Sequence, residues 1–141
     1  MSPAELYEID FYEWTQRNAA LLRSGNVSEA DLAHVAEEIQ EMGKRERRAL
    51  LSRAAVLIAH LLKWHIQPER RSRSWEATIR IQRRDLAKLL ADMPSLQSVR
   101  FEEVYRDGVL LAVSETNLPK EGFPSKAPFE IDQLLDEEFL P

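Results

Sequence analysis

The sequence predicts an all-α protein: a single-domain bundle of about five helices, closed by an irregular, proline-rich C-terminal tail. Three observations carry that expectation. Apolar residues recur at intervals of three and four through most of the chain before Thr116, which is the period of an amphipathic helix. No stretch alternates apolar and polar residues, and there is no Asn-Gly hairpin signal and no repeat, so strands are not expected. With 141 residues, 44% hydrophobic and 30% charged, the chain suits one globular domain rather than a disordered segment.

The first helix is expected to start at Asp10 as its cap and to end by Gly25, with Phe11, Trp14, Leu21 and Leu22 turned to the core. Ser28 reads as the cap of a second helix whose apolar stripe is Leu32, Val35, Ala36, Ile39 and Met42, with Glu29 and Asp31 in its positive first turn. Gly43 either ends that helix or bends it. The next segment, Lys44 to Ile66, is the most apolar: Leu50, Ala54, Leu57, Ile58, Leu61 and Leu62 lead an arc of more than half the circumference. Such a helix must be covered on several sides, so it is the expected centre of the fold.

Pro68 stops it, because proline lacks the amide donor and disfavours helical geometry in the residue before it. A fourth helix begins near Ser72 or Ser74, with Trp75, Ile79, Leu86, Leu89, Leu90 and Met93 on one narrow face. Pro94 restarts the chain, and a fifth helix, broken near Arg100, runs to about Thr116 with Phe101, Val104, Tyr105, Leu111 and Ala112 inward. From residue 117 to 141 the chain becomes a tail punctuated by Pro119, Pro124 and Pro128 and anchored by Phe123, Phe129 and Phe139, with a short helix from Glu130 to Asp136.

The bulk numbers exclude several chemistries. There are no cysteines, so disulfides, thiolate zinc sites and cysteine nucleophiles are ruled out. The longest apolar run, Ala54 to Leu62, is interrupted by His60 and too short to span a bilayer, and Met1 to Asp10 has no leader-like pattern. The expectation is a cytoplasmic protein with no membrane association. The net charge of −5 hides a segregation: Met1 to Gly43 carries −7, Lys44 to Lys88 carries +9, and Glu102 to Pro141 carries −7. A basic middle between acidic ends can satisfy itself, pair two copies, or meet an anionic partner.

The elbow His60–Arg84 (HLLKWHIQPERRSRSWEATIRIQRR), the preceding VAEEIQEMGKRERRALLSR, the opening YEIDFYEWTQRNAALLRSG and the ending LLDEEFLP together resemble the bacterial domain-of-unknown-function family 29. The resemblance covers the chain from about Leu6 to Pro141 and differs between Pro94 and Val104, where this sequence is a few residues short. It implies a small, all-helical, cytoplasmic bacterial protein, and no catalytic residue, cofactor or activity.

Candidate sites follow from the residues themselves. Arg73, Arg80, Arg84 and Lys88 line one side of the fourth helix, with Arg83 beside them and Arg70 and Arg71 just upstream. Such a row could track phosphates; it could equally be a solvated face, Glu76 and Arg80 already forming an i,i+4 pair. Trp64, His65 and Trp75 could line a pocket at the elbow, or the indoles could pack in the core under the arginines. His65 is expected in the apolar arc and His60 at its polar edge. His60 and His65 are five apart, ~140° around a helix, so they cannot chelate one ion. His34, Glu37, Glu38 and Glu41 share one face of the second helix, opposite its apolar stripe and expected to be exposed, so no metal site is read there. No catalytic residue and no cofactor is assigned, since neither a nucleophile elbow nor a phosphate-binding glycine loop is present. The preferred reading is a non-enzymatic interaction or scaffold module, self-associating through its segregated charge or binding another protein. An anion- or nucleic-acid-binding protein is the first alternative, and an enzyme with a pocket at the elbow the second.

Overall fold

A computed structural model describes all 141 residues. The chain is 78% helical without strands, in six α-helices: α1 (Pro3–Ile9), α2 (Phe11–Arg23), α3 (Leu32–Ile66), α4 (Arg73–Asp92), α5 (Phe101–Thr116) and α6 (Ile131–Leu135), joined by short 3-10 turns. It divides into two compact units, Met1–Glu46 and Arg47–Pro141.

In the first unit, α1 was not expected from its apolar pattern. It is set by a reciprocal cap in which the Ser2 hydroxyl accepts from the Glu5 amide and the Glu5 carboxylate accepts from the Ser2 amide, with Pro3 in the first turn. Asp10 caps α2 as expected, accepting from the Glu13 amide at 3.1 Å. Ser28 is not a helix cap; it lies in a 3-10 turn, Val27–Glu29. Asp31 takes the capping role instead, its side chain accepting from the His34 amide.

The two helices expected on either side of Gly43 are one. α3 runs unbroken for 35 residues, about 52 Å at ~1.5 Å per residue. Gly43 neither stops it nor needs a special backbone there. By length and composition α3 could cross a membrane, yet half of its most apolar window is buried within the protein.

The second unit is organised around the C-terminal half of α3. Leu57, Ile58, Ala59, Leu61 and Leu62 are fully buried. α4 contributes Ile79 and Leu86, α5 Val104, Tyr105, Val109 and Ala112, and the tail Phe123, Phe129 and Leu134. α4 starts where expected, with the Ser72 hydroxyl accepting from the Trp75 amide. The break before α5 is a 3-10 turn, Pro94–Ser98. The tail is draped over this core: Tyr105 donates to the Pro124 carbonyl at 2.6 Å, and the Phe129 ring packs edge-on to Tyr105 and Phe139.

Candidate functional site

The elbow is built by two cations laid on two indoles. The Arg71 guanidinium sits 4.9 Å above the Trp64 ring and donates to the Trp64 carbonyl at 2.9 Å and to the Pro141 carbonyl at 3.4 Å. The Lys63 ammonium is 5.1 Å from the Trp75 ring centre and is paired with Glu115 at 2.5 Å. Trp64 and Trp75 are half-buried, and His65 is exposed rather than in the apolar arc. His60 is half-buried with Nδ1 2.9 Å from the Val56 carbonyl oxygen; burial pushes its pKa down, and nearby Lys63 adds to that.

The basic residues separate into two groups. Arg73, Arg80, Arg84 and Lys88 stand exposed along α4, and Arg70 is exposed in the turn before it. Arg80 is held by Glu76 at 3.3 Å and Arg84 by its neighbour Asp85 at 3.3 Å. Arg83 leaves this row: it is 3% exposed and donates to the backbone carbonyls of Leu134 at 2.8 Å, Gln133 at 3.5 Å and Glu137 at 3.5 Å. Burial lowers its pKa, opposed by Asp136 and Glu137. Its guanidinium clamps the tail instead of facing an anion. The position signals this, since Arg83 is four residues after Ile79 and three before Leu86, both core.

One concavity has no counterpart in the sequence reading. A cleft of about 500 Å³ lies between α3, α4, the Pro94–Ser98 turn, α5 and α6, lined chiefly by apolar side chains such as Leu86, Leu90, Leu96 and Val104, with Gln97 and Asp132 as its polar groups. That volume lies in the range of small-molecule sites, and Asp132 is the only ionisable side chain in the lining. No buried side-chain nitrogen or oxygen lacks a partner, and no group of three or more His, Cys, Asp or Glu is placed to hold a metal ion.

The model of the family described as domain of unknown function DUF29 matches residues 6–140. The chain belongs to the DUF29 family. No curated protein and no solved structure matches it. The family carries no assigned activity to bring to these residues.

In this DUF29 chain the first unit holds a connected polar network, and it departs in part from an expectation. On the side of α3 expected to be exposed, His34 and Glu38 are half-buried with Tyr7 of α1 against both, while Glu37 is exposed as expected. The Tyr7 ring stacks on His34 at 3.8 Å, and its hydroxyl donates to Glu38 at 2.6 Å. That bond to Glu38 and then burial push the Tyr7 pKa up to about 12. Asp31 accepts from Trp14 Nε1 at 2.9 Å and lies 2.6 Å from His34 Nδ1. Burial works against its ionisation, but the bonds from Trp14 and His34 prevail and hold its carboxyl below the usual range. Asn18 completes the network, accepting from the Asp31 amide at 2.7 Å and donating to the Trp14 carbonyl.

The consequence lies on the other side of the helix. Of the expected core stripe, Leu32 is 46%, Ile39 63% and Met42 58% exposed, and Val35 is half-buried. Phe11 and Leu22, also expected inside, are exposed. Sequence periodicity located an apolar face; it gave no indication that the chain leaves that face open.

Proposed function

We propose that this DUF29 chain is a non-enzymatic interaction module that associates with itself, and that its N-terminal helical unit supplies the docking surface. One observation carries the reading. In residues 1–46 only Leu6 and Trp14 among the large apolar side chains are buried, while Ile9, Phe11, Tyr12, Leu32, Ile39 and Met42 are all substantially exposed. Exposed apolar side chains gathered on one helical unit support an interaction site there where they form a contiguous patch. The acidic balance of this unit, beside the basic stretch Lys44–Lys88, favours a partner of mixed charge, which a second copy provides. Light scattering coupled to size exclusion tests it. The mass should rise above 16.3 kDa as the protein is concentrated to ~200 µM; a monomer at every concentration, at both low and high salt, refutes it.

A second reading rests on the exposed row Arg73, Arg80, Arg84 and Lys88, which could bind an anion or a nucleic-acid backbone. It requires affinity that falls steeply with salt, and no mobility shift of RNA or DNA at low salt removes it. The sequence pI of about 5.3 weighs against this reading.

A further inference from the structure

We infer that the face of α3 formed by Leu32, Val35, Ile39 and Met42 is where two copies of this chain pair, their helices running antiparallel. The inference rests on the self-association proposed above and specifies its geometry. The intervals of three, four and three are those of alternating a and d positions in a heptad, the seam by which helices interlock. The seam is also bounded: the next positions of the series are Glu46, Ala49 and Arg53, so the apolar contact ends after about three turns.

Charge selects the orientation. The N-terminal end of the seam carries Glu29 and Asp31, and the stretch after Met42, Lys44 to Glu46, is net basic. A parallel pair would set acid on acid and base on base. An antiparallel pair in which Leu32 meets Met42 of the second copy, and Val35 meets Ile39, brings the acidic N-terminal end of each seam to the basic C-terminal end of the other. That register also satisfies the antiparallel rule that a positions meet d positions, and it is self-complementary, as a two-fold contact between identical chains requires. Four seam residues a side make a small interface. The dimer should therefore be weak, populated at ~100 µM and dissociated near ~1 µM.

The absence of cysteine from the chain makes the test clean. Leu32→Cys and Met42→Cys are prepared separately, mixed at ~100 µM and oxidised. The mixed disulfide between position 32 of one chain and 42 of the other should predominate. In this register two copies of residue 32 are ten residues apart along the axis, about 15 Å, so like-with-like disulfides dominating would overturn the antiparallel seam. Ile39→Glu should return the mass to that of a monomer, with the helical circular dichroism unchanged because Ile39 is exposed. If the unaltered chain associates but neither effect appears, the seam is wrong and the interaction-module reading stands. If the unaltered chain stays monomeric at ~200 µM, that reading fails. A monomer whose thermal stability drops on Ile39→Glu would show the seam covered by the chain itself, which also overturns the pairing.

Discussion

Gly108 offers a test of the central packing because the same substitution has an opposite expected sign at another glycine. A Cβ built on Gly108 would lie 2.4 Å from Ile58 Cγ2, 2.7 Å from Ile58 Cβ and 3.4 Å from the Ala55 carbonyl oxygen. Carbon atoms rest at about 3.5–4.0 Å, so the overlap is about an ångström. Rotating Ile58 would move Cγ2 away but leaves Cβ in place, so α3 and α5 would have to separate where Ile58, Leu62 and Ala112 are fully buried. Overpacking a core costs about 1–3 kcal/mol; with a backbone shift required, the upper end applies. Alanine returns about 1 kcal/mol of helix propensity, leaving Gly108→Ala about 2 kcal/mol less stable. Gly43 has nothing within 4 Å of its Cβ position, so Gly43→Ala should stabilise by up to about 1 kcal/mol. Urea unfolding followed by far-ultraviolet circular dichroism, at a concentration where the chain is monomeric, measures both. A Gly108→Ala protein as stable as the parent would refute the close approach of α5 to α3.

Two further outcomes follow from named contacts. Arg83→Met keeps the buried stem but removes the donors to three tail carbonyls; it should cost about 2 kcal/mol and speed protease cleavage within residues 117–141, whereas an unchanged cleavage rate would remove Arg83 as the clamp. Tyr7 has its pKa raised from 10.0 to about 12 in the folded chain, so the fold holds the proton more tightly than the unfolded chain does. Its contribution is complete below pH 10 and is lost as pH climbs toward 12. Tyr7→Phe should therefore lose less stability than the parent between those values, and identical declines in alkaline denaturation would contradict the Tyr7–Glu38 bond.

Where an element is fixed by local backbone chemistry, the sequence made it readable. Pro68 ends α3 at Ile66, Ser72 opens α4, and Phe123 and Phe129 bury as their apolar character demands. α1 was readable too, through Ser2-Pro3-Ala4-Glu5, a capping pattern hidden by the shortness of the helix that follows. The first half of α3 was not. Its strongest periodicity marks Leu32, Ile39 and Met42, but which side of a helix is covered depends on what neighbouring segments offer. α1 and α2 offer Tyr7, Trp14 and Asn18, whose polar atoms match Asp31, His34 and Glu38, so hydrogen bonding and ring stacking decided a contact that hydrophobicity alone assigns to the opposite side. At the elbow, Arg71 and Lys63 each lie over one face of an indole, contacts that apolar periodicity does not signal. The apolar cleft depends on five separate segments and leaves no mark in any one of them.

The unbroken course of α3 has a kinetic consequence. Starting a helix is its slow, unfavourable step, because several residues must be fixed before the first hydrogen bond is gained, whereas lengthening an existing helix adds a bond for each residue ordered. Residues 32–46 have little apolar burial of their own to stabilise a nucleus, but they continue without interruption from a stretch that contains Leu57, Ile58, Leu61 and Leu62. They can form by growth from that end. Order should then spread along α3 toward its N-terminus, with α1 and α2 settling last onto a surface that exists only once the growing end has passed Glu38.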